Sequence, residues 1–168
     1  MVHGRLEEAE LCLGEALDLR RRHGDDRRLV EPLIDHAWLM LVRGRGSEAT
    51  RGFLDCLALA RHVSDQFNVG EALAGLSAQA ALDGRSADAA RLAGASAALH
   101  EQMGAPPWES VTAMQERALD DARAALGSRY PDHFAEGGLM AAEDAVARLL
   151  SAEPEPASAK LLRNVSAS

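Results

Sequence analysis

The residue types able to do chemistry are thinly spread along this chain. Six histidines stand at positions 3, 23, 36, 62, 100 and 133, and two cysteines at 12 and 56. A zinc site needs three or four such ligands, spaced so that a loop or a helix face presents them together. No HExxH, CxxC or comparable cluster occurs. His36, next to Asp35, falls on the inward face of its helical run, where a core histidine held by a hydrogen bond is expected. A serine nucleophile of the elbow type needs glycine on both sides and a strand-to-helix turn. GLSAQ (75–79) and GASAA (94–98) lack the second glycine and lie within helical runs. Glu7, Glu8, Glu10, Glu15 and Asp18 make an acidic helix face that solvation explains. Acid–base work requires carboxyls in contrasting environments, and the sequence marks no buried pair. There is no GxxxxGK phosphate loop. The expectation is a chain that is not an enzyme and takes no metal or cofactor.

The elements that position these residues follow an internal period. Gly-Arg recurs at 4, 44 and 84, opening GRLEEAE, GRGSEAT and GRSADAA. A fixed interval in this range marks a repeat architecture. With the 40-residue frames aligned, Ala9, Ala49 and Ala89 coincide, as do Leu13, Phe53 and Ala93, and Leu19, Leu59 and Leu99. Spacings of three and four place them on one helical face. Each Gly-Arg therefore opens a helix, about 5–22, 46–63 and 86–103. Gly44 and Gly84 end the preceding helices, and Ser47 and Ser86 are placed to cap the next ones. Residues 27–43 and 66–83 supply the first helix of each hairpin.

Composition agrees with an all-α chain. Apolar residues make up 47% of the 168, aromatics only 4%, and Ala about a fifth. The net charge of −8 disfavours nucleic-acid phosphates as partners. The basic run Arg20–Arg22 with Arg27 and Arg28 reads as a solvated helix end. No apolar run reaches the length of a membrane span. An acidic amino terminus and two cysteines without a CxxC pair lead to expected buried or half-buried thiols and a cytoplasmic location.

Ala37, Gly44, Ala49 and Phe53 give the segment LIDHAWLMLVRGRGSEATRGFLDCLALA the look of a tetratricopeptide repeat, and Ser77, Gly84 and Ala89 continue it. The period of 40 and the lack of a closing proline depart from that family. A second resemblance covers about residues 25–150. Gly94 and Ala95, then Gly104-Ala105-Pro106, Arg123 with Ala125-Leu126-Gly127, Phe134, Gly137 and Glu143 to Val146 follow the order seen in the carboxyl-terminal repeats of large LuxR-type, ATP-dependent transcriptional regulators, many of them actinobacterial. Gly138 stands where relatives tend to be basic.

The resemblances imply a right-handed α-solenoid of tetratricopeptide-like hairpins. It comprises a half unit at 5–22, units at 27–63 and 66–103, and capping helices at 108–127 and 139–150, within one domain of 1–150. Residues 151–168, with Pro154 and Pro156, read as a flexible tail. Residues 5–22 match only the second helix of a unit. Either the chain is cut from a longer protein or that open side is an interface.

In helical-hairpin repeats the first helices line a concave face. Glu31, Ile34, Trp38, Leu41 and Val42, with Glu71, Ala74, Ala78, Ala81 and Leu82, would line a groove with a Trp wall and an Ala floor. Trp38 packed as ordinary core suits the same spacing. Three functions fit: a signal-receiving module that binds a protein or peptide, a sensor of a small effector, or a structural domain. The structural domain would pack on its own polypeptide or dimerise through the first helix. Neither nucleic acid nor membrane is an expected partner.

Overall fold

The structure, a computed structural model, describes residues 2–24 and 26–151. These residues form only helices: α1 (Val2–His23), α2 (Asp26–Val42), α3 (Gly46–His62), α4 (Gln66–Leu82), α5 (Ser86–Met103), α6 (Glu109–Leu126), a 3-10 turn (Gly127–Arg129), α7 (Tyr130–Gly138) and α8 (Ala142–Ser151). The tail, with a turn expected at Lys160–Arg163, lies outside the described residues from 152 onward.

The 40-residue frame is a doubled interval of twenty. Positive φ occurs at Gly24, Gly44, Ser64, Gly84 and Gly104. Around 44, 64 and 84 the closing bonds repeat: Arg45, Asp65 and Arg85 N–H reach back five residues to the Met40, Ala60 and Ala80 carbonyls, at 2.9, 2.7 and 2.8 Å. This is the Schellman closure, which satisfies the last carbonyls of a helix and reverses the chain. Helices α2 and α4 each have 17 residues and begin 40 apart. Successive helices pack as neighbours, α1 on α2, α2 on α3, α3 on α4 and α4 on α5.

Three local expectations need correcting. Gly4 lies within α1 and opens nothing. Ser47 and Ser86 are not caps: Arg45 and Arg85 hold that position, with no side-chain cap bond. Their guanidiniums pair with Glu48 and Asp88, one turn inside the helix. Cys12 is exposed, whereas Cys56 is buried and its burial pushes the thiol up to about 12.

The core centres on α4, in which residues 68–81 are all buried. α2, α3, α5, α6 and α8 all touch it. The carboxyl-terminal helices do more than cap. α6 lies across α4 and α5, and α8 returns to both. Arg85 donates to the Leu149 carbonyl at 2.5 Å, and Arg61 pairs with Glu143. α7 crosses α5 glycine on backbone. A Cβ at Gly94 would lie 1.9 Å from the Phe134 carbonyl oxygen, and one at Gly137 1.9 Å from that of Arg91. Only hydrogen fits at this crossing, which accounts for the Gly-Ala and Phe…Gly positions singled out in the sequence.

Left-handed backbone costs an ordinary residue about 1–2 kcal/mol. Gly84→Ala is therefore expected to lower stability by about 1 kcal/mol, while Ser64→Gly, at φ 59, raises it. Urea unfolding of both variants checks this, and a destabilised Ser64→Gly would contradict it.

Candidate functional site

The Trp-walled groove is not present as an open surface. Trp38 is 5% exposed and meets Phe53 edge-on, with ring centroids 5.3 Å apart. Ile34, Glu71, Ala74 and Ala78 are buried as well. The physical reason is packing on both first helices: α2, with Ile34 and Trp38, is packed by α1, α3 and α4, and α4, with Glu71, Ala74 and Ala78, is packed by α6 and α8 as well. Glu31 is exposed on α2. Leu41 and Leu82 do come together, on a shallow groove beside the 43–45 turn, and Val42 is exposed nearby in sequence. That groove shares Thr50, Gln79 and Asp83 with a second depression reaching Leu149 and Leu150. His36 is half-buried.

The most enclosed chemistry lies elsewhere, between α4, α5 and the 104–108 turn. Glu71 is fully buried and His100 is 4% exposed, with Glu71 Oε1 3.4 Å from His100 Nε2. The Trp108 backbone N–H donates to the same Oε1 at 3.3 Å. His100 Nδ1 lies 3.1 Å from the Ala105 carbonyl. Phe67 covers the group, edge-on to His100 and tilted against Trp108, with centroids 5.1 and 5.3 Å away. Gly70 makes room for the imidazole, since a Cβ there would sit 2.7 Å from Nε2. Ser96, one turn before His100, donates to the Gly70 carbonyl at 2.8 Å.

These bonds fix where protons must be. A carbonyl only accepts, so Nδ1 carries hydrogen toward Ala105, and in the neutral ring Nε2 is left as an acceptor. A carboxylate facing it would set two acceptors against each other in a dry site. One proton between them resolves the conflict. Burial raises Glu71 to about 7, opposed by the Trp108 N–H, and burial also lowers His100. Both effects favour a neutral pair with the proton on Glu71. Sequence reading missed this pair because Glu71 and His100 lie on different helices. The Gly-Ala-Pro-Pro-Trp turn was the one local signal near it.

On the other side of His100 lies a cleft of about 540 Å³ between α5 and α6. Ala93, Ala97, Pro106, Leu119 and Phe134 make it mostly apolar. Ser96, Thr112 and Gln115 supply neutral polar groups, and Glu101 and Glu116 stand at its edge. Ala93 occupies the frame position of Phe53, so the cleft opens where the second repeat lacks the aromatic of the first. A cleft of this size and lining suits a small organic ligand. Among the described residues no group of three His, Cys, Asp or Glu side chains could hold a metal. Nor is any helix there long and apolar enough to cross a membrane.

The chain matches no family model, no curated protein and no solved structure.

The neutral Glu71 makes a pH prediction. A carboxyl with an ordinary value near 4.5 keeps its proton in the folded chain up to about 7. The folded state then binds more protons than the unfolded one, so this stabilising contribution is present at low pH and lost as pH rises through about 7. An unfolded histidine, with an ordinary value of 6.5, also loses its remaining proton in this range, but His100 is present in both proteins, so the comparison with Glu71→Gln cancels that contribution to first order. Between pH 6.5 and 8 the wild type is expected to lose about 1 kcal/mol relative to Glu71→Gln. Parallel urea titrations of the two proteins measure it, and a constant difference across that range would refute the neutral carboxyl.

Proposed function

We propose that the chain is a non-catalytic, signal-receiving domain of a bacterial transcriptional regulator, and that it receives its signal in the α5–α6 cleft. The observation that carries this reading is the cleft itself. It is an apolar recess about 540 Å³ in volume, walled by a rigidly hydrogen-bonded His100 and by the proline-rich 105–107 turn. Walls of that kind are preformed, so a ligand spends little on ordering them. The resemblance to the repeats of LuxR-type ATP-dependent regulators supplies the regulatory context. The same resemblance supports a right-handed, tetratricopeptide-like solenoid for the successive hairpins, and an intracellular site of action. In this reading the chain acts on no substrate and carries no cofactor, and it touches neither nucleic acid nor membrane directly.

A second reading has its own observation. Leu82 is 61% exposed and Leu150 63%, at the two ends of the joined grooves along the 43–45 and 83–85 turns. Exposed apolar side chains flanking polar groups suit a polypeptide partner. That partner is another protein or another part of the same polypeptide. Leu11 and Leu19, exposed on α1, offer a further face for a second copy.

Blocking the cleft separates the readings. Ala97 lines it and is exposed on α5, so Ala97→Phe fills the opening without entering the core. A ligand found by thermal shift is expected to raise the melting temperature of the wild type and not of Ala97→Phe. Equal stabilisation of both proteins would move the site out of the cleft. Binding of a polypeptide that Leu82→Asp abolishes and Ala97→Phe leaves intact would favour the groove.

A further inference from the structure

We infer that the α5–α6 cleft is built for an apolar organic amine, a ligand whose hydrocarbon body fills the recess and whose ammonium faces Glu101. The inference rests on the cleft being the receiving site and adds the chemical class of what it receives. The apolar part of the ligand is set by Ala93, Ala97, Pro106, Leu119 and Phe134, with the Phe134 ring offering a surface for stacking.

The charge is set by what the lining contains and what it lacks. Among the described residues no Lys or Arg lines the cleft. His100, the remaining basic residue of the lining, is held neutral by burial. An anionic ligand would find no cation in the wall. It would instead face two carboxylates, and like charges brought together are disfavoured. Of these two, Glu116 is already matched, since Arg123 Nη2 lies 2.5 Å from its Oε2. Arg123 is itself held there by Asp120 at 3.3 Å and by the Tyr130 ring, whose centroid is 5.3 Å away. Glu101 is exposed at the carboxyl end of α5 and pairs with no cation among the described residues. The carbonyl end of a helix adds its own negative potential at that place. Uncompensated negative charge therefore stands at the mouth, above an apolar floor.

The test uses three probes with one aromatic body: 2-phenylethylamine, 2-phenylethanol and 3-phenylpropionate. Each is titrated into the full chain and followed by amide chemical shifts in NMR spectra. The amine is expected to shift residues 93–105 and 112–119 and to bind about threefold tighter than the alcohol, the scale of one exposed ion pair. The carboxylate is expected to bind weakest. Glu101→Gln removes the advantage of the amine and leaves the affinity for the alcohol unchanged, and added salt narrows the gap in the wild type. If the alcohol or the carboxylate binds as well as the amine, the cationic class is overturned while the cleft still stands as a receiving site. If none of the three moves the cleft resonances, the receiving site falls with it.

Discussion

A helix that is covered on every side constrains everything packed around it. α4 is such a helix, buried from Asn68 to Ala81 with five other helices against it. Its length leaves little volume for side chains, and the sequence answers with Ala72, Ala74, Ala78, Ala80 and Ala81 beside Gly70, Gly75 and Ser77. Neighbouring helices can then approach closely and let their own large groups fill the space. Phe53 from α3 lies where a side chain on Gly75 would be, since a Cβ there would come within 2.2 Å of its ring. His100 from α5 uses Gly70 in the same way. The polar groups buried on α4 need partners inside the protein. Ser77 donates to the Ala89 carbonyl at 2.9 Å, and Gln79 to Asp83 at 2.9 Å. Glu71 has one N–H from Trp108 and one imidazole, which suffices for a neutral carboxyl and not for a charged one.

The repeat frame shows why the helices were legible in the sequence and the site was not. Helix boundaries come from local signals, and Gly44, Gly84 and Gly104 mark helix ends whatever packs outside them. Periodicity also separated the face with Ala37, Ala49 and Phe53, all fully buried. It could not say what covers the opposite face. Glu31 and Glu71 hold the same position in successive frames, yet Glu31 is exposed and Glu71 has no exposed surface. The difference lies in α6, which packs on α4, and in the 104–108 turn that leads into it. That contact joins residues far apart in the chain and leaves no periodic trace. Trp38 stayed open between groove wall and core for a related reason. Its frame partner is Ala78, so the frame gives no size to match, and only the meeting with Phe53 reveals it as core.

The same frame explains where the cleft is. A solenoid of identical units has no reason to leave a recess between two of them. Here the second unit carries Ala78 and Ala93 where the first has Trp38 and Phe53. The lost ring volume is not fully recovered. Ala78 is fully buried in α4, whereas Ala93 lines the α5–α6 cleft together with Phe134 from α7. Phe134 can stand there because Gly94 and Gly137 let α5 and α7 touch backbone to backbone.

α5 thus packs against four helices, α4, α6, α7 and α8, and its charges show how it is held. Ser96 and His100 turn toward α4, Gly94 toward α7, and Ala97 and Glu101 toward the cleft. Arg91 bonds Glu136 at 2.7 Å and lies 3.4 Å from Asp88, and Glu136 also takes Arg148 from α8 at 3.2 Å. These pairs hold Glu136 below the usual carboxylate range, the Arg91 hydrogen bond first among them. Each pair is partly exposed and contributes modestly alone, but the network joins α5, α7 and α8. A helix braced by ion pairs and hydrogen-bonded through its core face is free to present its remaining surface without moving. That division of labour leaves Ala97 and Glu101, and not the Trp38 face, exposed at the cleft.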